Sequence, residues 1–74
     1  MPVFKGGNMS VAKFVEISSE SPKGFEDAIQ LGIAKAADTI HNIRSAWIKE
    51  QEVVVEKGKV SRFRVIMKVA FVVD

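Results

Sequence analysis

Residues 59–73, KVSRFRVIMKVAFVV, carry apolar side chains on both sides of a two-residue repeat. The odd positions Phe63, Val65, Met67, Val69, Phe71 and Val73 form one unbroken apolar row. The even positions Arg62, Arg64, Ile66, Lys68, Ala70 and Val72 start basic and end apolar. Such alternation is a strand signal, because successive side chains point to opposite faces of a sheet. A strand with one full apolar row and half of another needs cover on both faces. That demand limits every fold open to the chain.

The strand before it ends in a tight turn. Residues 43–56 also repeat every two residues, and Lys57-Gly58 supplies a two-residue hairpin loop. With Glu56 facing Lys59, the register places Ala46, Ile48 and Val54 on the odd-numbered face of strand three. Ser45, Trp47, Lys49 and Gln51 then fall on the other face, beside Arg64, Ile66 and Lys68. Upstream, SVAKFVEIS (residues 10–18) is rich in β-branched and aromatic residues and too short for a typical helix. SSESPKG follows as turn chemistry. In FEDAIQLGIAKAADTIHN (residues 25–42), Phe25, Ile29, Gly32/Ile33, Ala36 and Ile40 fall at helical spacing. Gly24 is the expected N-cap, Glu26 and Asp27 suit the positive end of the helix dipole, and His41-Asn42 marks the expected end.

The element order is β-α-β-β, an α+β fold. A helix between strands one and two permits a parallel crossover with a gap, which strand three fills antiparallel to both. One helix covers one face of the sheet. The other face, with Trp47, Ile66, Ala70 and Val72, is too apolar to stay wet and should meet other subunits or a ligand. Size points the same way. Seventy-four residues make one small domain, and a hydrophobic content of 47% is high for so small a chain. Burial between identical chains resolves the excess.

Several function classes find no support. There is no cysteine, hence no disulfide, thiolate metal site or cysteine nucleophile; His41 is the sole histidine. Eleven basic and nine acidic residues leave a net charge of +2, too balanced to argue for nucleic acid. No apolar run approaches the ~18 residues of a membrane span, and a cytoplasmic protein is the default expectation. Neither a glycine-rich phosphate loop nor a base beside a serine is present, so the expectation is a protein that is not an enzyme. Residues 1–9, MPVFKGGNM, read as a flexible leader and residues 10–74 as the single domain.

The segments SSESPKGFEDAIQLGIAKAADTI, HNIRSAWIKEQ and GKVSRFRVIMKVAF, in this order and spacing, resemble the dodecin family over nearly the whole chain from about Val11 to Val73. The resemblance implies a three-stranded antiparallel sheet partly wrapped around one helix, and a hollow homododecamer that binds flavin between subunits. Flavin-binding dodecins typically place a tryptophan near the start of strand two and a glutamine on strand three. Aligned through Asp38-Thr39 and VAF (residues 69–71), these positions fall on Ser45 and Arg64. Trp47 lies two residues further on, on the same face but shifted by about 7 Å. A family branch associated with calcium shares the IR-x-A and EQ pattern of this strand and has arginine at the position of Arg64.

The resemblance therefore implies storage or buffering of riboflavin, FMN or a related flavin. Trp47 would stack, Gln51 and Arg64 would address polar edges, and Ser45 would leave space. The alternative is a structural dodecamer whose flavin pocket has been lost, with a divalent cation such as calcium on its axes. Each residue also has a plainer role. Trp47 suits a subunit interface as well as a ligand. Arg64 more commonly pairs with Glu50 or Glu52 across strands, and Gln51 is more often solvated. Arg44, Lys49, Lys68, Glu50 and Glu52 suit surface or inter-subunit ion pairs, and His41 suits a helix end.

Overall fold

The computed structural model describes residues 11–73. Four elements follow in the order β1 (Val11–Ser21), α1 (Phe25–Ala37), β2 (Ile43–Glu56) and β3 (Lys59–Val73). The strands form one sheet in the order β1-β3-β2, with β3 antiparallel to both neighbours. The central position of the most apolar strand is the one its sequence demands. The expected leader, residues 1–9, lies outside the described residues, as does Ser10.

The odd row of β3 is the core. Val65, Met67 and Val69 are fully buried, together with Ala28 of α1. Val15 and Ile17 of β1, Phe25, Ile29 and Ile33 of α1, and Ile43 and Ala46 of β2 pack around them. Gly32 permits the close approach of helix and sheet. A Cβ there would stand 2.6 Å from Met67 Cε and 3.0 Å from Ser19 Cβ.

Two element ends differ from expectation. β1 runs on through Ser21, because Ser19, Glu20 and Ser21 find partners in Val65, Arg64 and Phe63. Polar composition alone had suggested a turn there. The buried Ser21 hydroxyl donates to Asp27 Oδ2 and accepts from the Lys23 backbone N–H at 3.0 Å, so it fastens the strand end to the first helical turn. At the other end, α1 stops at Ala37 and not near Asn42. The Thr39 and Ile40 N–H groups both donate to the Ala36 carbonyl, which closes the helix. Asn42 then adopts φ 62°, and its carbonyl accepts the Val72 N–H at 3.1 Å. Asparagine tolerates that left-handed conformation better than most residues, so the link can turn directly into β2. His41 lies in this link, beyond the helix it was expected to end.

The hairpin loop is as expected: Lys57 and Gly58 have φ 53° and 76°, the pair of positive values that a two-residue turn of the right twist requires. The register beyond it is not. Ser61 is extra on β3, and Lys49 and Arg44 are extra on β2. Ser61 Oγ donates to the Val54 carbonyl at 3.1 Å across the first of these bulges. Between the bulges at Ser61 and Lys49, each β2 residue shifts by one relative to β3. Gln51 therefore faces Val65 on the helix side of the sheet, and Val54 faces Arg62 on the other side. Both expected positions are reversed by that one-residue slip.

The helix does not reach the whole sheet. α1 packs on β1 and β3, and the chain measures 58 × 24 × 15 Å. Its radius of gyration is 15.6 Å, against about 11 Å for a compact domain of this length. The far part of the β2–β3 hairpin projects past α1, leaving Val53 and Val55 exposed, and Ile48, opposite Met67 on the edge strand, is exposed as well.

Replacement of Met67 by alanine tests the core. The expected cost is about 2–5 kcal/mol, read from urea unfolding at one fixed protein concentration. A cost below about 1 kcal/mol would contradict the central role of Met67.

Candidate functional site

Opposite α1, the sheet presents a face laid out in rungs of one residue per strand. From the β3 C-terminal end they are Phe14–Ala70–Ser45, Glu16–Lys68–Trp47, Ser18–Ile66–Glu50 and Glu20–Arg64–Glu52, each in the order β1, β3, β2. Two chemistries divide it. The first two rungs carry the aromatic rings, with Glu16 and Lys68 beside Trp47, and the fourth is wholly charged.

Phe14 and Trp47 approach diagonally, with ring centroids 5.4 Å apart and planes tilted by 46°. Such a tilted contact is favourable, since the edge of one ring meets the electron-rich face of the other. Ala70 lies between them in the ladder, and its small side chain leaves room for both rings. Ala70 is only 7% exposed, whereas Phe14 and Trp47 are 49% and 55% exposed. Lys68 Nζ stands 5.2 Å from the Phe14 centroid, within cation–π range. The result is an accessible aromatic platform flanked by an ammonium group.

The bulge at Lys49 gives that side chain its reach. Lys49 Nζ crosses to Glu16 on β1 at 2.7 Å. A hydrogen bond and attraction from Lys49 hold the Glu16 carboxyl below the usual carboxylate value, and the same pair raises the Lys49 ammonium. At the charged end, Arg64 donates from Nη1 to Glu52 at 2.7 Å and from Nε to Glu20 at 2.9 Å. Arg62 Nη1 donates to the second oxygen of Glu20. This chain of ion pairs spans all three strands. Arg62 first, then Arg64, holds the Glu20 carboxyl below its usual value, while Glu20 and Glu52 raise the Arg64 guanidinium.

The residues singled out by sequence thus separate. Trp47 and Ser45 share the uncovered face near its apolar end. Arg64 lies on that face too, but four residues along β3 from the Trp47 rung, about 13 Å away, and it is engaged by two carboxylates. The expected cross-strand pairing of Arg64 with Glu52 is present. Gln51 is on the opposite side of the sheet and does not join Trp47. Sequence reasoning missed Phe14 and the position of Lys68 over its ring. The alternation of β1 placed Phe14 on one of two faces, but no hairpin ties β1 to β3, so its register had no local signal.

A shallow groove of about 460 Å3 runs between α1 and β1, lined by Ile17, Leu31, Gly32, Lys35 and Ala36 among others. It carries no aromatic group and does not include the platform. Among the described residues, no group of three or more His, Cys, Asp or Glu side chains is gathered to hold a metal ion. No helix among them is long and apolar enough to cross a membrane.

Comparison with known proteins places this geometry in context. A family model described as Dodecin matches residues 11–74. The protein named Calcium dodecin of Mycobacterium tuberculosis is 32% identical over 63 residues, covering 85% of this chain and 89% of that one. Its crystal structure, described as having a calcium-binding site, gives a TM-score of 0.76. A dodecin from Streptomyces davaonensis gives a TM-score of 0.87 at 30% identity, over 90% of this chain and 98% of that one. A variant of the Thermus thermophilus dodecin gives 0.85 at 29% identity, over 89% and 98%.

The ion ladder can be read in solution. A carboxyl held below its usual value contributes stability above its unfolded pKa, and that contribution is lost as pH falls through the folded value. Carbon-detected NMR should find Glu20 titrating below the ordinary 4.5, and Arg62→Ala should move its midpoint upward. A midpoint untouched by the substitution would show that the pair does not form.

Proposed function

The chain belongs to the dodecin family, and on that premise we propose that it forms a hollow homododecamer holding a flavin of the riboflavin or FMN type between copies. It stores and buffers the ligand in the cytoplasm and catalyses no reaction on it. The observation that carries this reading is the Trp47–Phe14 platform, exposed on a sheet face that the chain's own helix does not shield. An isoalloxazine ring is flat and aromatic, and stacking on an indole buries both surfaces at once.

The residues fit such a group in part. Trp47 supplies the stacking surface, and Phe14 fixes its tilt. Ser45, next to Ala70 in the ladder, leaves space beside the platform. Arg64 is held by Glu20 and Glu52 and stands well along the strand, so within one chain it steadies the sheet and contributes no contact to a ring on Trp47. Gln51, on the helix side, has no part in this site. Polar recognition therefore falls to the neighbouring copy or to groups nearer Trp47.

A second reading rests on the likeness to the M. tuberculosis protein named Calcium dodecin. In it the assembly carries no flavin and takes a divalent cation such as calcium at an axis where carboxylates from several copies meet. Hard cations require several oxygen ligands. Glu16, Glu20 and Glu52 are each paired with a Lys or Arg of the same chain, so calcium would compete with those cations.

The two readings part in one titration. Added riboflavin or FMN should lose fluorescence on binding, with quenching of Trp47 emission. Trp47→Ala should weaken binding by about tenfold, with the mass of the assembly unchanged. Undiminished flavin fluorescence, together with calorimetric heat on adding calcium, would reject the first reading in favour of the second.

A further inference from the structure

We propose that Lys68 sets the charge preference of this site, making the platform favour a flat ring that carries an anionic group: a phosphorylated flavin over its neutral parent. The inference rests on the flavin reading above and deepens it. Its ground is how the cations of the uncovered face are already engaged. Arg62 and Arg64 share Glu20 and Glu52 at the far end. Lys49 is bound to Glu16 at 2.7 Å and also feels Glu50.

Lys68 differs from all three. It stands between Glu16 and Trp47 in its rung. Glu16 is its nearest natural partner, yet Lys49 occupies that carboxylate, and Lys68 acts on it only at longer range. Among the described residues Lys68 makes no ion pair within 4.0 Å; its Nζ rests instead over the Phe14 ring at 5.2 Å. The face of a phenyl ring is a weak substitute for a carboxylate.

A ligand stacked on Trp47 thus lies beside an ammonium that makes no ion pair within 4.0 Å among the described residues. An anionic substituent supplies a partner through a charge-assisted hydrogen bond. A flexible four-carbon stem lets the ammonium follow a phosphate on a side arm, which a rigid fork would do less readily. A neutral ligand offers no such gain. The platform therefore provides general affinity for flat rings, and Lys68 discriminates among them by charge.

The test compares dissociation constants for riboflavin and FMN, read from fluorescence quenching of the assembled protein. Four chains are compared: wild type, Lys68→Met, Lys68→Arg and Lys35→Met. Lys35 lies on α1 beside the groove, so its loss removes the same net charge far from the platform. Wild type should prefer FMN by about three- to tenfold at low salt. The preference should persist in Lys68→Arg and Lys35→Met and fall to near parity in Lys68→Met.

Equal affinities in the wild type, or a preference that survives Lys68→Met, would overturn the role of Lys68 and leave the flavin reading intact. Loss of preference in Lys35→Met would assign the effect to net charge and overturn it likewise. Should Lys68→Met fail to assemble, salt decides: a wild-type preference that does not shrink toward 1 M salt, where the Debye length is about 3 Å, refutes it. If neither ligand quenches in any chain, the flavin reading and this inference fall together.

Discussion

A helix shorter than the strand it covers governs this structure. α1 has 13 residues and β3 has 15, which is about 20 Å of helix against about 50 Å of strand. The helix therefore buries Val65, Met67 and Val69, with Val15, Ile17, Ile43 and Ala46 packed around them, and leaves the hairpin end of its own side and the whole opposite face uncovered. The helix ends where the Thr39 and Ile40 N–H groups both donate to the Ala36 carbonyl, and the chain then turns at Asn42 to begin β2. The molecule closes one small core and presents two apolar surfaces: the projecting hairpin on the helix side, and the aromatic end of the opposite face.

Both surfaces follow from local chemistry. The bulge at Lys49 restores the register that the bulge at Ser61 had shifted, so Trp47 returns to the face opposite the helix while Gln51 does not. Ala70 then lets Phe14 and Trp47 meet across β3. The same bulge frees Lys49 to take Glu16, and Lys68 rests over the Phe14 ring with no ion pair among the described residues. Farther along, Glu20 and Glu52 draw Arg62 and Arg64 into a ladder that fastens both edge strands to the centre. One face thus has a charged end closed by its own pairs and an apolar end that is not.

Much of this was legible from residue order. The two-residue repeat gave β2 and β3 their observed limits, Lys57-Gly58 gave the turn, and the full apolar row of β3 gave its central place. Trp47 was placed on the uncovered face because alternation survives a pair of compensating bulges. Gln51 was misplaced because it lies between them, where alternation counted from the turn is off by one. The end of β1 was missed for a different reason: Ser19, Glu20 and Ser21 are turn residues by composition and become strand only through pairing with distant β3. The helix end was overrun because Ile40 continues the helical spacing, although it lies beyond the last turn. Phe14 could not be joined to Trp47 without the β1–β3 register, which no short-range signal sets.

The central claim is that the apolar sheet face opposite α1 is closed by further copies of the same chain. Its most direct test is the mass of the purified protein by light scattering on a sizing column, with Trp47 emission recorded across the peak. The account predicts a single species with the mass of a dodecamer and an indole emission well to the blue of the unfolded chain. A folded species with the mass of one chain, its tryptophan emitting as in water, would contradict it.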